Sequence, residues 1–237
     1  MNWERMKSFL IVLFIGINIF LIGFMLNSVK NTTTVSKSVA TDTVSILMNN
    51  NIYIDGRIIP LSTDNPGSFE VTPINVNSTY TSSKNITDKN ANDEIKKALR
   101  SVGIKKDYII TKNSDGSYCI GQRAYGHFIF DSAVFAKING NTITIEGKWY
   151  TPASKPDGKD GDMLPVTSVL IEFMNNPARD GNIHNCITSV SIGYCVPGHD
   201  SGADYISMTA VPCYSITTSD GASFLYEASN GAFKQIR

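Results

Sequence analysis

Hydrophobic positions divide the chain into one long unbroken run followed by shorter, periodic ones. From Phe9 to Leu26 there is no charged residue in 18 positions. A helix of that length rises about 27 Å, close to the roughly 30 Å hydrocarbon core of a bilayer, so the pattern predicts a membrane-spanning helix over 9–26. The run is longer than the apolar part of a signal peptide, and Asn27-Ser28-Val29-Lys30 lacks a small-x-small cleavage pattern, which favours an uncleaved anchor. Arg5 and Lys7 lie within one turn of the run, whereas Lys30 and Lys37 are spread beyond it; the positive-inside rule therefore places residues 1–8 in the cytoplasm. Trp3 fits the interfacial aromatic position, and Asn18, mid-run, carries an amide that gains from a hydrogen bond to another helix. Trp3, Arg5, Lys7 and Asn18 are accordingly the expected partner contacts.

Beyond a polar tether at 27–35, Val39, Ala40, Val44, Leu47 and Met48 form a helical stripe behind possible Ser or Thr caps, ending at Asn49-Asn50-Asn51. Ile52-Tyr53-Ile54 reads as a short strand. The stretch from Leu61 to Asn90 is rich in Ser, Thr, Asn and Pro and weakly periodic; it predicts loops, with a strand near Phe69 to Ile74. Ile95, Leu99 and Val102 mark a second helix, capped by Asn92 or Asp93 and stopped by Gly103. Strands follow at Asp107–Thr111, Ser117–Arg123, His127–Ile138 and Thr142–Trp149, the last two joined by an Asn139-Gly140 turn.

Thr151 to Asp162, with two prolines and two glycines, reads as a connection between subdomains. Val166, Val169, Leu170, Phe173 and Met174 then repeat at helical spacing behind Pro165. Three more strands are expected at Cys186–Val196, Tyr205–Thr217 and Ser223–Ala228. The expected fold class is α+β: an N-terminal transmembrane helix, then two successive units of antiparallel sheet covered by helix, at 36–150 and 151–237. An alternation of Pro212, Tyr214 and Ile216 on one strand face is expected to pack Tyr214 against the helix from Pro165 to Asn175.

Charge narrows the function classes. Lys plus Arg and Asp plus Glu each number 21, so the chain has no overall field for nucleic acid, and no nucleic-acid partner is expected. Four cysteines in an extracytoplasmic chain raise the question of disulfides. Cys186 and Cys195, an odd number of positions apart, face opposite ways on a regular strand; Cys195 and Cys213, on neighbouring strands, could bridge or remain buried thiols. His184, Cys186, Cys195 and His199 lack the spacing of a structural zinc site, and Asp157, Asp160 and Asp162 lack the distal Glu of a calcium loop. No metal and no cofactor is expected. No nucleophile elbow, Ser-Lys or Cys-His arrangement, phosphate loop or paired-carboxylate motif is present, and the expectation is a protein that is not an enzyme.

The opening MNWERMKSFLIVLFIGINIFL resembles the start of the YycI family of membrane-anchored regulators in Gram-positive bacteria. The segments ITSVSIGYCV and VPCYSITTSDGASFLYEASNGAFK are similar to that family's closing strands, and also to PepSY-like domains. Gly193, Tyr194, Pro212, Tyr214, Ala228 and Gly231 occupy the matching positions, with Tyr214 where Trp is more usual. The resemblance implies a non-catalytic regulator that, with a YycH-like paralogue, contacts the WalK sensor histidine kinase at the membrane and outside it. The alternative it leaves open is a PepSY-like envelope protein that binds or inhibits an extracellular peptidase.

Overall fold

The computed structural model describes residues 13–14, 17–18, 32–157, 162–179, 183–197 and 208–236. Residues 33–237 form one compact unit and residues 1–32 another. Of the N-terminal run, positions 13–14 and 17–18 are helical, and the rest of the expected 9–26 helix, with Trp3, Arg5 and Lys7, lies outside the described residues. Among the described residues no helix is long and apolar enough to cross a membrane.

The three helices of the larger unit start and stop for local reasons. Helix α1, Lys37–Asn49, begins where the Ser36 hydroxyl accepts a hydrogen bond from the Val39 amide, and it buries Ala40, Thr43 and Leu47. Helix α2, Ala91–Ser101, carries Asp93 and Glu94 in its first turn and Arg100 in its last, as the helix dipole favours, and gives way to Gly103 at φ +89°. Its expected cap, Asn92 or Asp93, lies inside the helix; Asn90 precedes it, and the Asn90 side chain accepts instead from the Thr87 amide. Helix α3, Val166–Asn175, follows Pro165, whose missing N–H costs nothing at a helix start.

Two strands, β1 (Thr32–Thr34) and β3 (Ser62–Asp64), make a small separate sheet. The others form one ten-stranded sheet: β2 (Tyr53–Ile54), β4 (Phe69–Thr81), β5 (Tyr108–Lys112), β6 (Tyr118–Ala124), β7 (His127–Asn139), β8 (Thr142–Pro152), β9 (Cys186–Cys195), β10 (Met208–Thr218), β11 (Ser223–Glu227) and β12 (Phe233–Ile236). The expected α+β order of two successive units is overturned by this sheet. Among the described residues strand outweighs helix, 46% against 22%. The joining element is β4, which runs from Phe69 to Thr81 rather than ending near Ile74. It pairs with β8 along its whole length from Val71 and with β10 at Phe69–Val71. Helix α1, expected over the first unit, shares a core with α3 and the C-terminal strands instead.

Beyond β4, the pairings continue from β8 to β7, from Phe128–Ile129 of β7 to β9, and from β9 back to β10, closing a ring of five strands. One core fills that ring, with Phe69, Val71, Ile129, Tyr150, Tyr194 and Ala210 drawn from all five strands. A second lies between α2 and the sheet, where Ile95 and Leu99 meet Val76, Ile120, Val134, Ile143, Ile145 and Trp149. Strand β4 therefore changes its buried face midway: Phe69 and Val71 face the ring, whereas Val76 faces α2. Trp149 and Tyr150, adjacent on β8, divide in the same way. Where β7 leaves β8, the backbone N–H and C=O of Tyr150 would lack partners, and the buried Gln122 amide supplies both: Tyr150 N donates to Gln122 Oε1 at 2.9 Å and Gln122 Nε2 donates to Tyr150 O.

Cys195 and Cys213 are joined by a disulfide, with Cα atoms 5.8 Å apart and a sequence separation of 18. The register puts Cys195 opposite Val211, so the bond crosses diagonally between β9 and β10. Closing a loop of this length restrains the unfolded chain by about 3 kcal/mol. Reduction, or the double change Cys195→Ala with Cys213→Ala, is expected to lower stability in urea by about 2 to 4 kcal/mol. Equal unfolding midpoints with and without reductant would show that the bond adds nothing.

Candidate functional site

The family-pattern positions converge, but on a packed node rather than an open pocket. Leu164, just ahead of α3, donates its amide to Ala228 O at 2.7 Å, and its carbonyl accepts from the Tyr214 hydroxyl at 3.1 Å. Ala228 in turn donates to Pro212 O at 2.9 Å. Gly231, at φ +72°, donates to Glu227 O at 2.9 Å and lies where a Cβ would come within 3.2 Å of Leu164 Cδ1. Tyr214, Ala228 and Gly231 thus meet at Leu164, with Pro212 joined through Ala228, and they lock the start of α3 onto β10 and the turn after β11. Tyr214 shares its core with Val166, Val169, Leu170 and Phe173, the helix face expected to cover it.

Gly193 and Tyr194 serve the neighbouring ring. Gly193 stands where β9 runs parallel to β7, and a Cβ there would fall 2.5 Å from Phe128 O and 2.8 Å from the Phe130 ring. Tyr194 is fully buried, edge-on to Phe69 with ring centres 4.7 Å apart, and donates its hydroxyl to Pro66 O at 3.1 Å. Burial pushes the Tyr194 hydroxyl up to about 12, so it remains a neutral donor.

Among the described residues, hollows on the surface of the larger unit include the following three. A small cleft of about 170 Å³ borders the node, lined by Asn65, Ser68, Asp162, Met163, Pro212 and Glu227. Glu227 there is partly buried, which raises its carboxyl, yet hydrogen bonds from Lys234, at 2.5 Å, and Ser229 outweigh burial and hold it below the usual range. A hollow of about 420 Å³ between α2 and the preceding loop is rimmed by Lys84, Lys96, Lys97 and Arg100 around Asp93 and Glu94. The Lys97 ammonium, 2.6 Å from Glu94, lowers that carboxyl, with a further contribution from Ser82. The third is an apolar groove of about 430 Å³ between α1 and the turn at Gly56–Ile58. None of these was legible as a site, because their lining residues are separated in sequence and all three draw on the weakly periodic stretch from Leu61 to Asn90.

Among the described residues no group of three His, Cys, Asp or Glu side chains is placed to hold a metal ion. His184 sits 2.9 Å from Asp220 Oδ2 and edge-on to Phe224, while His199 and Asp160 lie outside the described residues. Cys119 and Cys186 are free thiols. Asn18, the polar residue of the N-terminal run, donates its side-chain amide to Phe14 O at 2.8 Å, one helical turn back. Comparison with protein-family models and with curated protein sequences finds no match.

Proposed function

We propose that the protein is a membrane-attached, non-enzymatic regulator of a two-component sensor histidine kinase, acting beside a YycH-like paralogue. In this reading the uncharged stretch from Phe9 to Leu26 holds it in the cell membrane, residues 1–8 are cytoplasmic and the folded unit is outside the cell. The observation that carries the reading is the N-terminal sequence, where Asn-Trp, a basic pair and a mid-run Asn precede a folded unit of near-neutral charge. The linkage of Tyr214 and Ala228 to Leu164, and of Pro212 to Ala228, supports it further: the C-terminal resemblance falls on residues that hold the fold together, which is where a shared scaffold would leave its mark.

The test is co-purification of the kinase from membranes after cross-linking. Loss of the kinase when residues 9–26 are replaced by an unrelated anchor supports membrane contacts; recovery of a peptidase and no kinase supports the PepSY-like alternative. Asn18→Leu is expected to leave membrane insertion intact and weaken kinase association by about 0.5 to 1 kcal/mol, the lower part of the range for a hydrogen bond between membrane helices. The low figure reflects the bond to Phe14 O, which already satisfies one of the amide's N–H groups. Unchanged recovery with both variants would exclude the membrane-contact mechanism.

A further inference from the structure

The apolar groove beside α1 has the chemistry of an amphipathic anion site. Ala40 and Ile59 are buried at its floor, Val44 forms a wall, and Leu61 stands 45% exposed at its mouth. Its rim carries Lys37 and Arg57. The Arg57 guanidinium is oriented by Asp55 at 2.5 Å, and Arg57 holds the Asp55 carboxyl down at about 2, so that pair is charge-balanced. Lys37 makes no ion pair among the described residues and leaves the rim with a net positive charge.

The groove is also bonded to the strand by which the chain enters the unit. Strand β1 pairs with β3, and Val35 donates to Leu61 O at 2.8 Å, so the mouth of the groove is tied to the entry point. The folded part begins at Thr32, earlier than the tether at 27–35 implied. Only residues 27–31 separate β1 from the end of the uncharged run. Five residues reach at most about 18 Å. The headgroup layer is roughly 5 to 8 Å deep on each side of a bilayer, so the entry strand cannot leave its neighbourhood.

We infer that this groove binds an anionic phospholipid of the bilayer in which the chain is held, with an acyl chain against Ala40, Val44, Ile59 and Leu61 and the phosphate at Lys37 and Arg57. The inference rests on the reading of residues 9–26 as a membrane attachment. It makes the folded unit an interfacial one, whose contact with its own membrane depends on lipid charge.

The test places the photoreactive residue benzoylphenylalanine at Leu61, and separately at Ile109 on β5, in the full chain reconstituted into nanodiscs of phosphatidylcholine with a minority of phosphatidylglycerol. After irradiation, mass spectrometry of the protein is expected to show a lipid adduct at position 61, enriched in phosphatidylglycerol over its share of the bilayer, and none at position 109. Lys37→Glu is expected to reduce the phosphatidylglycerol adduct roughly tenfold, from the contribution of a single cation at a lipid surface. A chain that enters the nanodisc yet gives no adduct at 61, or equal adducts at 61 and 109, overturns the groove assignment alone. Adducts in bulk lipid proportion, unchanged by Lys37→Glu, overturn its preference for anionic lipid. A chain that stays out of the nanodisc overturns the attachment reading and the groove assignment with it.

Discussion

Gly147→Ala is expected to destabilise the folded unit by about 4 kcal/mol or more, or to prevent its folding. Gly147 has φ +146°, a conformation side chains rarely adopt, and a Cβ built there would lie 2.2 Å from Ala133 O and 2.8 Å from Val134 Cα. Both obstacles are backbone, so no side chain can swing aside to relieve the clash. The residue sits mid-strand, opposite Val76 on β4 and Val134 on β7, and moving it breaks two ladders at once. Gly121→Ala is the control. Its Cβ would meet the Phe128 ring at 3.5 Å, an ordinary contact, and a change within about 1 kcal/mol is expected. Urea unfolding of the two variants beside the parent decides the matter; equal midpoints for all three would show that β7 and β8 have slack where the geometry allows none.

Tyr214→Ala is expected to cost about 3 to 5 kcal/mol, the usual range for removing a large aromatic side chain from a core. Tyr214 is wholly buried on β10, between Ile192 of β9 and Tyr226 of β11, beneath α3. For a unit of this size the loss corresponds to a fall in Tm of about 10 °C. Tyr214→Phe keeps the ring but abandons the bond to Leu164 O, leaving a buried carbonyl short of a partner, and is expected to cost about 1 to 2 kcal/mol. If alanine and phenylalanine lower Tm equally, the ring contributes nothing and the hydroxyl alone holds α3.

The elements with a single buried face were legible in the sequence. The stripes at Val39 to Met48 and Val166 to Met174 mark helices within a residue or two of their ends, that at Ile95 to Val102 marks the end of its helix but not its start at Ala91, and the Asn139-Gly140 turn between β7 and β8 is present with Gly140 at φ +64°. What failed was the extent of one element that answers to two cores. Strand β4 buries odd positions at Phe69 and Val71 and an even one at Val76, and it carries Pro73 between them, so no period-two pattern survives along its length. Ending that strand near Ile74 severed the sheet and divided what residues 33–237 form as one unit. The node at Leu164 was half visible: Pro212, Tyr214, Ala228 and Gly231 could be picked out, but Leu164 carries no signal of its own, because its hydrogen bonds to Tyr214 and Ala228 are made by its backbone. The groove beside α1 was invisible for a related reason, its walls lying on either side of a turn whose packing no local pattern encodes.

The ring of five strands imposes an order on how the protein can be made. Residues 69–71 complete their pairing only when residues 208–210 arrive, and the core they enclose also needs Tyr194 from the strand between. Contacts so distant along the chain make folding slow, and synthesis delivers the two ends in the least convenient sequence. Until β10 has emerged, β4 presents a bare edge over an apolar interior. A product truncated before β10 would therefore be a substrate for proteases rather than a smaller version of the protein.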